Sequence, residues 1–385
     1  MAEAYIIDAL RTPTGRRRGG LADMHPADLG GHALKQLVER NDVPADDYED
    51  VMFGCVDTIG PLAGDIARTC WLAAGLPLHV PGVTIDRQCG SSQQAVHFAA
   101  QAVLSGTADV VVAGGVQTMS QIPISAAMLA GQEFGFGDPF TGSPGWVERF
   151  GDGLVTQFNS AEMIAEKWGL SREDLEVFAL TSNERAIAAI DGGRFDREIV
   201  ETNGVRMDET PRRGTTLEAM AELKPLQEGG RITAAVSSQT CDAAAAMLIC
   251  SEEAVRRYDL KPRARIHHIS VLADDPIWML TAPMPATRRA MEKTGMSMND
   301  IDLVEINEAF APVVLAWLAD TGYDPEKTNV NGGAIALGHP LGASGLRLVM
   351  TLHDRLVSGH PEGAWGVATL CVGGGQGMSL LVRRF

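Results

Sequence analysis

Four short stretches of the chain hold side chains suited to covalent chemistry. Cys89 follows the apolar run 83–86 in "VTIDRQCGSSQQAVHF" and is succeeded by Gly90, Ser91 and Ser92. If a strand hands over to a helix there, the sulfur meets unpaired N–H groups and the positive end of the helix dipole, which favour a thiolate. The same position also suits a small buried residue. His339 lies among the glycines of "NVNGGAIALGHPLGASG" and is followed by Pro340, a residue that opens helices. An imidazole fixed at such a junction either draws the proton from a thiol or serves as a satisfied structural histidine. Cys371 ends a strand in "TLCVGGGQGMS" and runs into Gly373, Gly374, Gly375 and Gly377. Backbone N–H groups of such a loop can point at a developing oxyanion. In "VEINEAFAPV", Asn307 and Glu308 follow a strand, where Asn307 either reaches a site or caps a helix.

Residues so far apart in sequence need a scaffold that brings them together. Apolar β-rich runs alternate with longer helical patterns, which predicts an α/β protein. Strands are expected at 4–8, 51–56, 83–86, 110–114, 265–271, 303–306 and 366–370. Helices are expected at 28–40, 93–104, 161–168, 172–191, 285–293 and 346–355. The chain also repeats itself: "DDYEDVMFGCV" (46–56) resembles "NDIDLVEINEA" (299–309), and "VVVAGGVQTMS" (110–120) resembles "VATLCVGGGQGMS" (367–379). Two matches in the same order indicate a duplicated βαβ unit. In such a parallel sheet, functional residues gather where strands end. The stretch from about 121 to 222 has a different composition and reads as a long insertion covering a site.

Composition excludes several function classes. The 385 residues carry a formal net charge of −17, which repels nucleic acid and anionic membrane surfaces. An anionic ligand would need a local group of arginines, and Arg16-Arg17-Arg18 or Arg212-Arg213 could supply one. No apolar run reaches the ~18 residues needed to span a bilayer. The start "MAEAYIIDALRTP" lacks a secretory pattern, so a cytoplasmic protein with reduced cysteines is expected. None of the six cysteines stands at a metal-ligand spacing. The adjacent histidines of "RIHHIS" would point to opposite faces of a strand. The glycine string before the C-terminus is not G-x-G-x-x-G, so a dinucleotide-dependent dehydrogenase is a poor reading.

Taken together, Cys89 at its strand-to-helix turn, "NEAF" at 307–310, "GHP" at 338–340 and "CVGGG" at 371–375 resemble the thiolase family, in family order and over essentially the whole chain. The resemblance implies a thiolase fold: two duplicated βαβαβαββ halves forming a five-layer αβαβα core with an inserted covering loop domain. It implies an N-terminal half at 1–120 plus about 223–262, a loop domain at 121–222 and a C-terminal half at 263–385. It also implies reversible, CoA-dependent cleavage of a 3-ketoacyl-CoA, with coenzyme A as co-substrate and no permanently bound cofactor or metal. Carried over residue by residue, Cys89 is the nucleophile, His339 its base, Cys371 the second acid/base and Asn307 the holder of a water. Cys89 and Gly373 N–H groups form one oxyanion hole, and His339 with that water forms the other. Arg212, Ser238 and Phe310 match CoA contacts. Partners would be acyl-CoA, CoA and copies of the chain itself, in a homodimer or homotetramer.

Some positions depart from the family pattern. Cys241-Asp242-Ala243 stands where Asn-Asp-Gly or Ser-Asp-Gly is common, and a positive φ there would be costly for Ala243. Thr156-Gln157-Phe158 replaces the His-Met-Gly of acetoacetyl-CoA thiolases, and Gln227 stands for a pantetheine-pocket phenylalanine. These changes disfavour a short acetoacetyl substrate, leaving the biosynthetic acetoacetyl-CoA thiolase as an alternative. The nucleophile segment and "RARIHHIS" look most similar to actinobacterial thiolases of steroid-ring catabolism, suggesting a catabolic role in steroid-ring or fatty-acid degradation. A ketoacyl synthase of the same fold would lack the second cysteine. A non-catalytic CoA-ester-binding protein would need no pair of reactive sulfurs.

Overall fold

The computed structural model describes residues 2–153 and 155–385. Among the described residues ten strands form the sheet: β1 (Ala4–Arg11), β2 (Gly15–Arg16), β3 (Asp50–Gly54), β4 (Gly82–Ile85), β5 (Val110–Thr118), β6 (Cys241–Ser251), β7 (Ala264–Ala273), β8 (Leu303–Ile306), β9 (Trp365–Val372) and β10 (Gln376–Arg384). Their order is β4-β3-β5-β6-β1-β7-β10-β9-β8, with β2 added beside β6. Outward from the β1–β7 seam, where Ala4–Ile6 pair with Ala264–Ile266, β6, β5 and β3 mirror β10, β9 and β8, and β4 has no strand opposite it among the described residues. In the first half β3 runs parallel to β4 and β5, and β5 runs antiparallel to β6. In the second half β8 runs parallel to β9 and forms a single parallel bridge from Val304 to Thr328, while β9 runs antiparallel to β10. The repeated stretches of sequence thus fall on equivalent strands, β3 with β8 and β5 with β9. The β5-to-β6 connection of the first half holds the long insertion; in the second half the same connection is the tight turn at 373–375.

Alternation on the strands builds the layers. Val111 and Ala113 of β5, with Ala245, Met247 and Ile249 of β6, bury against a central layer made by the helices Ser91–Ser105 and Leu341–Gly359. The intervening Val110, Val112, Ala244, Ala246 and Leu248 bury on the opposite face against the helices Pro26–Glu39 and Ile66–Ala73. The helices Pro283–Thr294 and Ala311–Thr321 cover the outer face of the second half. The result is the five-layer αβαβα arrangement. A strand buried on both faces needs apolar residues at every position, so period-two patterning vanishes.

Several elements differ from the sequence expectation. β6 and β10 have no counterpart among the strands read from apolar patterning, and the helices at Ile66–Ala73 and Ala311–Thr321 have none among the helices so read. The "DAAAAM" of β6 has low strand propensity, yet its small side chains let helices approach both faces of the sheet, and packing overrides propensity. The helix expected at 346–355 begins five residues earlier, at Leu341, directly after Pro340. Ala243 lies inside β6 opposite Gln117 and is absent from the residues with positive φ, so the departure there costs no strain. The insertion is tied to the core by buried charge. Arg11 donates to both oxygens of Asp208, at 2.6 and 2.9 Å, with Glu198 3.7 Å away.

Candidate functional site

The two central helices meet at their N-termini, and glycine makes the meeting possible. A Cβ on Gly115 would lie 1.9 Å from the carbonyl oxygen of Gly342, and one on Gly342 would lie 2.4 Å from that of Val116. Gln117 closes the junction: its Oε1 accepts from Val56 N–H at 3.0 Å and from Gly342 N–H at 3.1 Å. Ser92 Oγ accepts from Leu346 N–H at 3.0 Å. These contacts bring the segment before one helix, which carries Cys89, up to the segment before the other, which carries His339.

Cys89 follows Gln88, held at φ 46°, and Gly90 caps the Ser91–Ser105 helix. Cys89 packs against Val56, Met119 and Leu341. The backbone N–H groups of Gly373 and of Cys89 itself lower its pKa. Burial is the larger influence and carries the thiol up to about 11. This corrects the expectation of a depressed pKa: in this apolar setting desolvation outweighs the helix N-terminus and the N–H donors. The resting residue is a thiol.

His339 is buried and neutral. Burial, with a further contribution from Arg347, moves its pKa down to about 3. Asn307 Nδ2 lies 3.3 Å from Nε2, and Ser344 Oγ lies 2.6 Å from Nδ1. Ser344 also donates to the carbonyl of Pro340 at 2.9 Å. The network assigns the proton to Nδ1, donating to Ser344, and leaves the Nε2 lone pair for Asn307. Gly338, at φ 81°, sets the loop before the imidazole; a Cβ there would also come 2.8 Å from Cys241 Sγ. Ser344 lies within the glycine-rich motif, one helical turn past Pro340, a spacing that sets its hydroxyl beside the imidazole.

Asn307 extends the β8–β9 pairing one residue beyond the strand, its N–H reaching Thr369 O at 3.1 Å. It caps no helix, since Phe310 occupies the N-cap of the next one. Its Oδ1 is buried and has no partner among the described residues. Glu308 is a strut of the loop that carries His339. It accepts from Ser182 Oγ at 2.6 Å, Asn329 Nδ2 at 2.9 Å and Ile335 N–H at 3.1 Å. Burial raises its pKa. Cys371 is fully buried at the end of β9, its thiol pKa raised by burial and further by the neighbouring Cys89.

Two of the CoA candidates, Ser238 and Phe310, lie on adjoining segments. Ser238 N–H donates to Ala309 O at 3.0 Å, Ser237 bridges Phe310, and Phe310 packs edge-on to Phe158 of the insertion at 5.6 Å. Gln227 donates to Asn159 on the same helix as Phe158. Arg212 lines a cavity of about 130 Å³ with Asn183, Met220, Ala235, Gln239 and Ile335. Its guanidinium has no carboxylate partner among the described residues, whereas Arg213 is paired with Asp191.

Comparison with known proteins bears on this arrangement. Residues 4–253 match the N-terminal domain of thiolase and residues 260–384 the C-terminal domain. The chain belongs to the thiolase family. This thiolase is 56% identical over 388 residues to the steroid 3-ketoacyl-CoA thiolase FadA6 of Mycobacterium tuberculosis, covering 100% of this chain and 95% of that one. It is 40% identical over 405 residues to a β-ketoadipyl-CoA thiolase of Acinetobacter baylyi, with 100% of both chains covered. Against a 3-ketoacyl-CoA thiolase of Escherichia coli it is 39% identical over 400 residues, again with both chains fully covered. The protein is therefore an acyltransferase that cleaves 3-ketoacyl-CoA with coenzyme A as co-substrate. Among the described residues no helix is long and apolar enough to cross a membrane.

Proposed function

We propose that this thiolase degrades a bulky, steroid-ring-derived 3-ketoacyl-CoA through an acyl-enzyme on Cys89. The observation that carries the acyl-enzyme reading is the meeting of the two halves at the nucleophile, where a Cβ on Gly90 would lie 2.8 Å from Val372 Cγ2 and the Gly373 N–H favours the Cys89 thiolate. In cleavage the Cys89 proton passes to His339 Nε2 as sulfur adds to the 3-keto carbon. The bond between carbons 2 and 3 breaks, and its electrons form the enolate of acetyl-CoA, which takes a proton from Cys371. Free CoA then attacks the thioester carbon and gives its proton to Cys371. Cys89 leaves as thiolate and recovers its proton from His339. The oxyanion on the former keto carbon is held by the N–H groups of Cys89 and Gly373. The enolate oxygen is held by protonated His339 and a water on Asn307, whose Oδ1 is free to take it. Loss of one such donor costs ~100-fold or more.

Arg212 binds the phosphates at the nucleotide end of CoA, and Ser238 and Phe310 line the pantetheine path. The unpaired guanidinium of Arg212 and the packing of Ser238 on Ala309 support this assignment. The halves extend over 1–120 with about 223–262 and over 263–385, and 121–222 covers the site. The chain works in the cytoplasm as a homodimer or homotetramer. The edge position of β4, with Val83 43% exposed, and the 42% exposed Phe98 on the helix Ser91–Ser105 support self-association. The steroid assignment rests on the FadA6 likeness and on the departures at Gln157 and Gln227. It is tested by thiolysis of a series of 3-ketoacyl-CoA esters from acetoacetyl to ring-bearing ones. The highest kcat/KM is expected for ring-bearing esters, and a clear preference for acetoacetyl-CoA overturns the assignment.

A further inference from the structure

Two polar side chains beside the catalytic loops have no part in the chemistry above: Arg87, two residues before the nucleophile, and Gln376, which opens β10. Arg87 Nη1 donates to Gln376 Oε1 at 2.6 Å, and Gln376 Nε2 donates to the carbonyl of Gly373 at 3.1 Å. The same turn abuts the nucleophile segment: a Cβ on Gly90 would lie 2.8 Å from Val372 Cγ2, and the Gly373 N–H favours the Cys89 thiolate. The contacts therefore close a ring from the nucleophile segment, through two side chains, to the glycine turn and back to the nucleophile.

The ring matters because of what it restrains. Gly373 is followed by Gly374 and Gly375, at φ 78° and 76°, a run with more backbone freedom than any other residue type allows. The far end of the turn is anchored separately, since Gly375 O accepts from Asp274 N–H at 2.7 Å. At the near end the carbonyl of Gly373 is gripped by Gln376, and Gly373 has the Gln88 side chain alongside, 3.1 Å from where a Cβ would stand. The N–H of Gly373 lies in the peptide plane it shares with Val372, which pairs with Gln376 in the β9–β10 ladder; holding the Gly373 carbonyl restrains the following plane, and the two together limit how Gly373 can turn, because an oxyanion donor helps only if it is preorganised.

We infer that Arg87 and Gln376 are positioning residues, and that their link aims the Gly373 N–H at the Cys89 sulfur and at the oxyanion formed there. The inference rests on Cys89 carrying the acyl group. Arg87 orients the Gln376 amide by occupying its oxygen, which turns the NH2 toward Gly373. Neither side chain contacts Arg212, Ser238 or Phe310 among the described residues, so the effect falls on turnover and not on CoA capture.

The test is steady-state thiolysis by Arg87→Met, Gln376→Ala, their double variant and Gln376→Glu, each checked for a wild-type thermal transition. Each single variant should lose about 10- to 100-fold in kcat, a part of what deleting a donor outright costs, with KM for CoA unchanged. The double variant should lose no more than the worse single one, because both act through one link. Gln376→Glu discriminates most sharply: it pairs with Arg87 more strongly but offers a carboxylate to the Gly373 carbonyl, so its kcat should fall as far as that of Gln376→Ala. If the link only tied the two halves together, Gln376→Glu would keep wild-type kcat, and that result overturns the inference. Multiplying losses in the double variant also overturn it. Cys89→Ala is run alongside: turnover in that variant removes the acyl-enzyme reading itself, whereas a dead Cys89→Ala beside an active Gln376→Ala removes only the positioning role.

Discussion

The protonation state of the resting nucleophile can be tested by alkylation. Burial holds the Cys89 thiol at about 11, against 9.0 for an ordinary thiol. At pH 7 roughly one molecule in 10⁴ then carries the thiolate, compared with about one in 10² for an unperturbed cysteine. A more basic thiolate is also more nucleophilic, which recovers about tenfold over two pKa units. Iodoacetamide should therefore label Cys89 about tenfold more slowly at pH 7 than it labels a free cysteine. The sign follows from the raised pKa: the reactive form is lost as pH falls below about 11. The rate should climb close to tenfold per pH unit from 7 to 10 without a plateau. The assay is the pseudo-first-order loss of the unmodified Cys89 peptide by mass spectrometry. Cys371, buried more deeply, should label later in the same samples. Replacing His339 by Ala should leave this limb in place while abolishing thiolysis, because a neutral imidazole contributes no charge to the thiol. A plateau below pH 8 would refute the reasoning, since it would mean a thiolate–imidazolium pair already exists in the free enzyme.

Two further outcomes are expected. Ser344→Ala removes the 2.6 Å partner of His339 Nδ1 and leaves a buried N–H unsatisfied, at a cost of about 1–3 kcal/mol; kcat should fall at least about fivefold with KM for CoA unchanged, and an unaltered kcat would contradict the tautomer assignment. Arg212→Ala should raise KM for CoA about tenfold or more while leaving KM for a pantetheine thiol that lacks the nucleotide; equal losses for both would remove Arg212 from the phosphates.

The sequence by itself determined the residue types and the order of the chemical motifs. Cys89, Asn307, His339 and Cys371 could be picked out because each stands where an apolar run gives way to glycine or a helix start. That local pattern is set by backbone geometry and needs no tertiary information. The repeats at 46–56 and 299–309 were likewise readable, since buried equivalent strands keep similar apolar order. Tertiary structure decided the rest. β6 was hidden because its alanines serve the approach of helices to both faces, a demand invisible to local propensity. The resting charge of Cys89 is not legible locally, because desolvation depends on everything packed around the sulfur, including Val56, Met119 and Leu341 from three other segments. Glu308 became a strut, and Gln117 a clamp, only when distant N–H groups came within reach of their side-chain oxygens. Charge state and orientation belong to the assembled surroundings, which no single stretch of sequence contains.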